Sequence, residues 1–507
     1  MKAKQLLALL LALLMVVTMF VSCGGSADTE SETETTGNDE TQGPSDTDPV
    51  ETEVSDDLGD VNFANVNNPE ITFFVRTGYE YEVYVEEATD DTMTAATYWR
   101  NKTVEERLGV TIGQINQVGG WSKYQAWNDT LRNAVQTETH DFDASMIYAG
   151  CASSLAIEGC YMDMNKLDMI SLDKPWWNQN IRKESTVYGR LYFASGSIAQ
   201  TQLSQAIVTW FNKDLYNEYF ATSNRKDIYQ VVRDGEWTVD YMYDLTSAVW
   251  VDNDTNGEKS SGDVVGFGGA AHGGTGGLDA WIYALGCDLT KFNATTAEPE
   301  ACFYNEHTIQ AYEKLVRLYS DNPGAFFDFS SGSGGETGDT SFNNNNMLMY
   351  VGSLGAGATY SGLNFNYGVL PLPKYDTEQD DYRSIPEATS SLETVISTVE
   401  ADRVDMVSAT VELMAAEAYK QLYPVYVEVV LKSQNANAPQ DAEMVQLIID
   451  SMVYSFGWIF SSTHMGNMGK AFRIVDGSRD LTQYYESNKS NYEAMIDLLI
   501  DGYASMV

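Results

Sequence analysis

The chain has 507 residues, 73 Asp and Glu against 30 Lys and Arg, a net charge of −43 and 12% aromatic residues, including 10 Trp. A field of that sign repels phosphate backbones and anionic lipid, which excludes nucleic acid as a partner and adsorption to a charged bilayer surface. The length exceeds what one compact core absorbs and suits two lobes.

Lys2 and Lys4 precede an almost unbroken apolar run from Leu6 to Val21, and Ser22-Cys23-Gly24-Gly25 comes next. The run falls short of the roughly 20 residues of a spanning helix and fits the apolar region of a signal peptide. The residues around Cys23 resemble the bacterial lipobox, although Phe20 stands where that motif has leucine. The resemblance implies that residues 1–22 are removed and that a diacylglyceryl group on Cys23 anchors the chain at the outer face of the cytoplasmic membrane. No second such run exists, so the mature chain is expected not to span the membrane. Residues 24–60 hold 13 acids and no Lys or Arg. Such a stretch buries too little apolar surface to offset its ordering entropy. It predicts a lipidated, disordered tether over 23–60, reaching about 30 Å as a flexible coil.

From residue 61, short β-rich runs alternate with helical periods, an α/β pattern. Ile71 to Val75 reads as a buried strand. A helix over Thr94 to Leu108 stops at Gly109, and Val110 to Ile112 returns to strand. Trp121 to Val135 is helical, and Phe142 to Tyr148 a strand. Val187 to Ser195 and Ala206 to Phe211 are further strands. Thr238 caps a helix whose Val239, Met242, Leu245 and Val249 share one face. Asp263 to Phe267 is a strand, succeeded by helices near 278–285 and 307–320. Met347 to Val351 and Tyr367 to Leu372 are strands, and the tail is helical over 402–421, 440–455 and 481–501.

Four stretches in this order are similar to the solute-binding proteins of ABC importers, the class of maltose-binding protein. They are Asp143-Ala144-Ser145-Met146-Ile147, then Gly189 to Ala194 with Phe211-Asn212-Lys213-Asp214-Leu215, then Gly235-Glu236-Trp237-Thr238, and Tyr367-Gly368-Val369-Leu370-Pro371-Leu372-Pro373-Lys374. The resemblance implies a two-lobed periplasmic-binding-protein type II fold with a hinge. One lobe takes residues 61–204 plus 384–430, the other 205–383 plus 431–507. A solute, most of all a sugar or oligosaccharide, is held between them and delivered to the permease subunits, the receptor acting as a monomer. Loops at strand ends then supply the cleft residues: Arg76, Tyr79, Tyr148, Gln205, His272, Tyr360, Glu387 and Trp458. About half of this set is expected to line the cleft.

Asp252-Asn253-Asp254-Thr255-Asn256-Gly257, with Asp263 at the twelfth position, matches the calcium loop of an EF-hand except that Asp replaces the final Glu. Asp252, Asp254, Asn256 and Asp263 offer side-chain oxygens, Glu258 its carbonyl, and Gly257 the turn. A structural calcium ion is the one cofactor expected; no organic cofactor is. Gly266-Phe267-Gly268-Gly269-Ala270-Ala271 fits a dinucleotide fingerprint, but such matches are common and this one lies deep within the second lobe. Trp176, Trp177 and Trp237 read as packing residues. Cys151, Cys160, Cys287 and Cys302 allow three disulfide pairings, the local one among them, or four buried thiols. The 4 histidines form no H-E-x-x-H, and G-x-S-x-G is absent. A carboxylate pair of an anchored carbohydrate-active enzyme is the alternative, though nothing marks two acids as a matched pair.

Overall fold

The computed structural model describes residues 54–506, apart from 261, 270–276, 328–341, 434–438, 461–467 and 476–479. The signal-peptide segment, Cys23, His272 and most of the acidic stretch therefore lie outside the described residues. The strands are β1 (Glu70–Arg76), β2 (Thr111–Gln117), β3 (Ala144–Tyr148), β4 (Ile207–Asn212), β5 (Trp250–Val251) and β6 (Val264–Gly269), then β7 (Thr290–Phe292) and β8 (Pro299–Ala301). The last four are β9 (Ala325–Phe326), β10 (Met347–Ser353), β11 (Tyr367–Leu370) and β12 (Ser391–Val395).

Two main sheets result. The first runs β12-β3-β1-β2, with β1 parallel to β2 and β3, and β12 antiparallel at the edge. The second runs β11-β4-β10-β6-β5. The reading of Ile71 to Val75 as a buried strand agrees with burial on both faces, as parallel strands covered by helices require. Ile71, Phe73, Phe74 and Val75 are buried, and so is every residue of β3.

The helix Thr92–Leu108 is capped by Asp91, whose side chain accepts from the Thr94 amide, and ends at Gly109 with φ 68. It packs on the helix Val404–Ser433. Thr238 caps the helix Val239–Thr246 by accepting from the Tyr241 amide. Trp176 and Trp177 are buried, and both indole N–H groups donate to the Glu412 carboxylate, at 3.0 and 2.8 Å. The Trp237 indole donates to the Pro371 carbonyl at 2.9 Å. Each large ring thus meets an acceptor where it is buried, as its polar edge demands.

Two expectations change, and one open alternative is decided. Residues 55–60 are packed where composition placed the end of the tether. Leu58 is buried, and Arg107 donates to both oxygens of Asp56 at 2.5 and 2.7 Å. One apolar side chain and one two-point ion pair hold what the acidic average hides. Val187 to Ser195 makes only isolated bridges, Val187 with Arg190 and Ala194 with Glu393. Positive φ at Tyr188 and Gly189 turns the chain there. The four cysteines are free thiols, and burial pushes Cys151, Cys160 and Cys287 up to about 12 and Cys302 to about 11.

Where the chain passes between the sheets its strands touch. Ile207 donates to the Ile385 carbonyl at 3.1 Å, Ala206 bridges Pro386, and Ser384 bridges Met452.

Candidate functional site

The carboxyl ends of β1, β2 and β3 lie at one edge of the first sheet, where ligands of open α/β sheets bind. Arg76 closes β1. Its guanidinium lies 4.0 Å from the Tyr79 ring and 4.7 Å from the Tyr148 ring at the end of β3. Nη2 donates to the Thr389 carbonyl at 2.6 Å and to Ser391 Oγ at 3.1 Å, whereas Nε and Nη1 are buried without a hydrogen-bond partner. Gly119, after β2, makes room for this group: a Cβ there would lie 2.9 Å from Arg76 Cγ and 2.6 Å from the Trp127 ring. Two residues on, Trp121 is 53% exposed.

The opposing wall comes from the second half of the chain. Asp279, in the helix Gly277–Ala284, accepts from Arg473 at two points, Nε at 2.6 Å and Nη2 at 2.5 Å. Arg473 belongs to the short helix Met468–Ile474, which packs on the first. Lys470 of that short helix reaches back to the first wall, its Nζ 4.4 Å from the centroid of Trp121. Burial lowers the Lys470 ammonium from its ordinary value, and the neighbouring Arg473 lowers it further.

Glu387 and Gln205 sit at the crossovers. The Glu387 amide donates to the Gln205 carbonyl at 3.0 Å, and Thr389 Oγ1 donates to Gln205 Oε1 at 2.7 Å. Burial pushes the Glu387 carboxyl up to about 7, with Thr389 pulling it down and Asp279 adding to the rise.

Of the residues expected to line the cleft, Arg76, Tyr79, Tyr148, Gln205 and Glu387 are brought together here. Arg76 is enclosed by its two tyrosines and supports their rings. Tyr360 is corrected. It is buried among Trp210, Phe342 and Tyr367 in the core of the second sheet, because Gly357 lets the Trp210 ring approach to within 2.6 Å of where a Cβ would stand. Trp458 is also buried, edge-on to Tyr454 at 5.9 Å. Trp121, Asp279, Lys470 and Arg473 were not among the expected residues. A signal existed for the last two: Lys470 and Arg473 are cations three apart on one helical turn in a chain poor in cations.

The dinucleotide fingerprint dissolves into packing. A Cβ on Gly266 would lie 1.8 Å from the Thr246 carbonyl oxygen, and one on Gly268 would lie 2.2 Å from Met347 Cε. These glycines let backbones approach.

The loop between β5 and β6 gathers Asp252, Asp254 and Asp263, one carboxylate oxygen of each lying within 4.8 Å of the others. A calcium ion bonded at roughly 2.3–2.6 Å to each would span that spread. Asp263 is buried, its oxygens accepting from the amides of Asn253 at 2.9 Å and Ser260 at 2.8 Å. Asn256 Oδ1 accepts from the Glu258 amide at 2.6 Å, and Gly257 turns at φ 81. The donor set fits calcium, in a β-hairpin loop instead of a helix–loop–helix.

Two grooves lie apart from the Arg76–Lys470 cluster. One of about 410 Å³ runs beside Trp176, Tyr423 and Tyr426; one of about 1420 Å³ runs beside Lys183, Asp288 and Lys374. The strand-end cluster is favoured over both because it lies at the carboxyl ends of the parallel strands β1, β2 and β3, where ligands of open α/β sheets bind.

This architecture is the two-lobed fold of the maltose-binding-protein class of solute receptors. Among similar solved structures is an ABC substrate-binding protein of Listeria monocytogenes in complex with cycloalternan, 14% identical, with a TM-score of 0.52 over 85% of this chain and 98% of that one. UgpB of Mycobacterium tuberculosis, in complex with glycerophosphocholine, is 10% identical with a TM-score of 0.56 over 85% and 99%. The maltose-maltodextrin binding protein of Alicyclobacillus acidocaldarius is 14% identical with a TM-score of 0.53 over 84% and 100%. No protein-family model matches the sequence, and a search of curated proteins finds no relative.

Proposed function

We propose that this chain is an extracellular solute receptor that captures a sugar or oligosaccharide and delivers it to the permease of an ABC importer. The observation that carries this is the pair of walls, Arg76, Tyr79, Trp121 and Tyr148 against Asp279, Lys470 and Arg473, brought face to face from halves of the chain joined by hydrogen-bonded crossovers. A ligand touching both walls stabilises one relative placement of the lobes, which a permease reads. The solved proteins of this fold support the reading: one is in complex with cycloalternan, one with glycerophosphocholine, and one is a maltose-maltodextrin binding protein. The lobes are taken as 61–204 plus 384–430 and 205–383 plus 431–507.

The role is binding, not catalysis. Asp279 is committed to Arg473 through two bonds, which removes it from a matched pair of carboxylates. Thermal-shift screening against a glycan panel, with product analysis of each hit, tests this: stabilisation without released sugar is expected, and turnover overturns the reading. Lipidation at Cys23 holds the receptor at the outer membrane face. Cys23→Ala is expected to release it into the soluble fraction, and retention in membranes overturns the anchor. We further propose that the β5–β6 loop holds one structural calcium ion through Asp252, Asp254, Asn256, the Glu258 carbonyl and Asp263.

A further inference from the structure

Among the described residues, the cleft holds a cation that no carboxylate pairs directly. Asp279 is engaged by Arg473 through two hydrogen bonds. Lys470 is left over. Its ammonium stands over the Trp121 ring at 4.4 Å, and among the described residues no carboxylate stands within ion-pair distance of it. Arg76 is a second cation without a direct carboxylate partner. It meets Glu82 only through Ser391 Oγ, which donates to Glu82 at 2.5 Å while accepting from Arg76 at 3.1 Å. Glu387, the other acid of the cluster, is pushed up to about 7 by burial and so carries only part of a charge at neutral pH. In a chain with 73 acids, Lys470 and Arg76 thus stand in the cleft without a direct carboxylate partner among the described residues.

The position of Lys470 decides what that cation can do. A ring laid on the Trp121 face where the ammonium now stands must displace it, giving up a cation–π contact. A hydroxyl returns a neutral hydrogen bond to an ammonium that closure has partly stripped of water. An anionic group returns a charge-assisted bond roughly twice as strong. Leaving a partly buried ammonium unpaired is the costlier outcome.

We propose that the cleft selects an anionic saccharide, with Lys470 as counter-ion to its acidic group and Trp121 as the surface on which its ring lies. This rests on the receptor reading and specifies the ligand class. A uronate carboxylate or a sulfate ester supplies the same charge, and separate probes distinguish them.

The test uses the mature chain with four probes: trigalacturonate, its full methyl ester, a sulfated chondroitin disaccharide and maltotriose. At least one acidic probe is expected to raise the melting temperature and to bind more weakly as NaCl increases, and the ester and maltotriose are not. Which acidic probe binds separates carboxylate from sulfate. Lys470→Met is expected to weaken the acidic ligand about tenfold, and Lys470→Arg to restore most of it; the salt dependence of the unmodified protein stands if Lys470→Met does not fold. Equal binding of trigalacturonate and its ester, binding of maltotriose alone, or unchanged affinity in Lys470→Met overturns the proposal and leaves the receptor reading standing. Stabilisation by none of the four probes, and by nothing in the wider glycan panel, overturns both.

Discussion

At the scale of single residues, Glu387 is the group whose titration the fold has changed most usefully for experiment. Its carboxyl is pushed up to about 7 from 4.5, chiefly by burial. The folded chain therefore holds that proton more tightly than the unfolded one. The stabilisation is complete below about pH 4.5 and is lost as pH rises through about 7. Glu387→Gln is expected to flatten the fall in stability between pH 5 and 8 by about 2 kcal/mol, allowing for partial exposure. Denaturant melts of both proteins across that range measure it, and parallel pH curves overturn it. Strand-end reasoning named Arg76, Tyr79, Tyr148 and Gln205 because each ends or flanks a strand legible from its apolar run, and Glu387 because it follows a crossover; the fold brings these five residues near one another. It misplaced Tyr360 because a tyrosine in a glycine-rich stretch looks like a loop residue, and only the Trp210 ring beside Gly357 shows the stretch folded into the core.

Among the elements, the β5–β6 loop joins a local motif to a tertiary setting. The spacing of Asp252, Asp254, Asn256 and Asp263 reads directly from the sequence, since its ligands come from consecutive turns. The strand that leaves the loop, β6, is held between β10 and β5 by sheet pairing, a long-range outcome. Chelator is expected to lower the melting temperature and calcium to restore it; Asp263→Ala is expected to abolish that response, since Asp263 also holds the amides of Asn253 and Ser260. An unchanged melt with chelator removes calcium from this loop. The helix over 402–421 was legible from its period, but its continuation through Pro424 to Ser433 was not. A proline argues for a break, and packing on the helix Thr92–Leu108 and on the short helix Leu354–Gly362 outweighs it.

For the whole molecule, ligand is expected to lower the radius of gyration measured by small-angle scattering, because a bond to both walls favours the closed placement. An unchanged scattering curve with saturating ligand would falsify hinge closure. Much of this architecture was open to sequence reasoning: alternating strands and helices, the order of four motifs along the chain, capped helices at Asp91 and Thr238, and the calcium-type loop all depend on residues close in sequence, where periodicity and turn chemistry act. The second wall of the cleft was not. Trp121 and Lys470 are separated by most of the chain, and Asp279 and Arg473 also lie far apart in sequence. Their meeting depends on how two sheets are joined and how terminal helices pack, which local pattern does not encode. The charge of the site obeys the same division. Composition describes a strongly acidic protein, and only the folded arrangement sets Lys470 on the Trp121 ring with no carboxylate at ion-pair distance among the described residues.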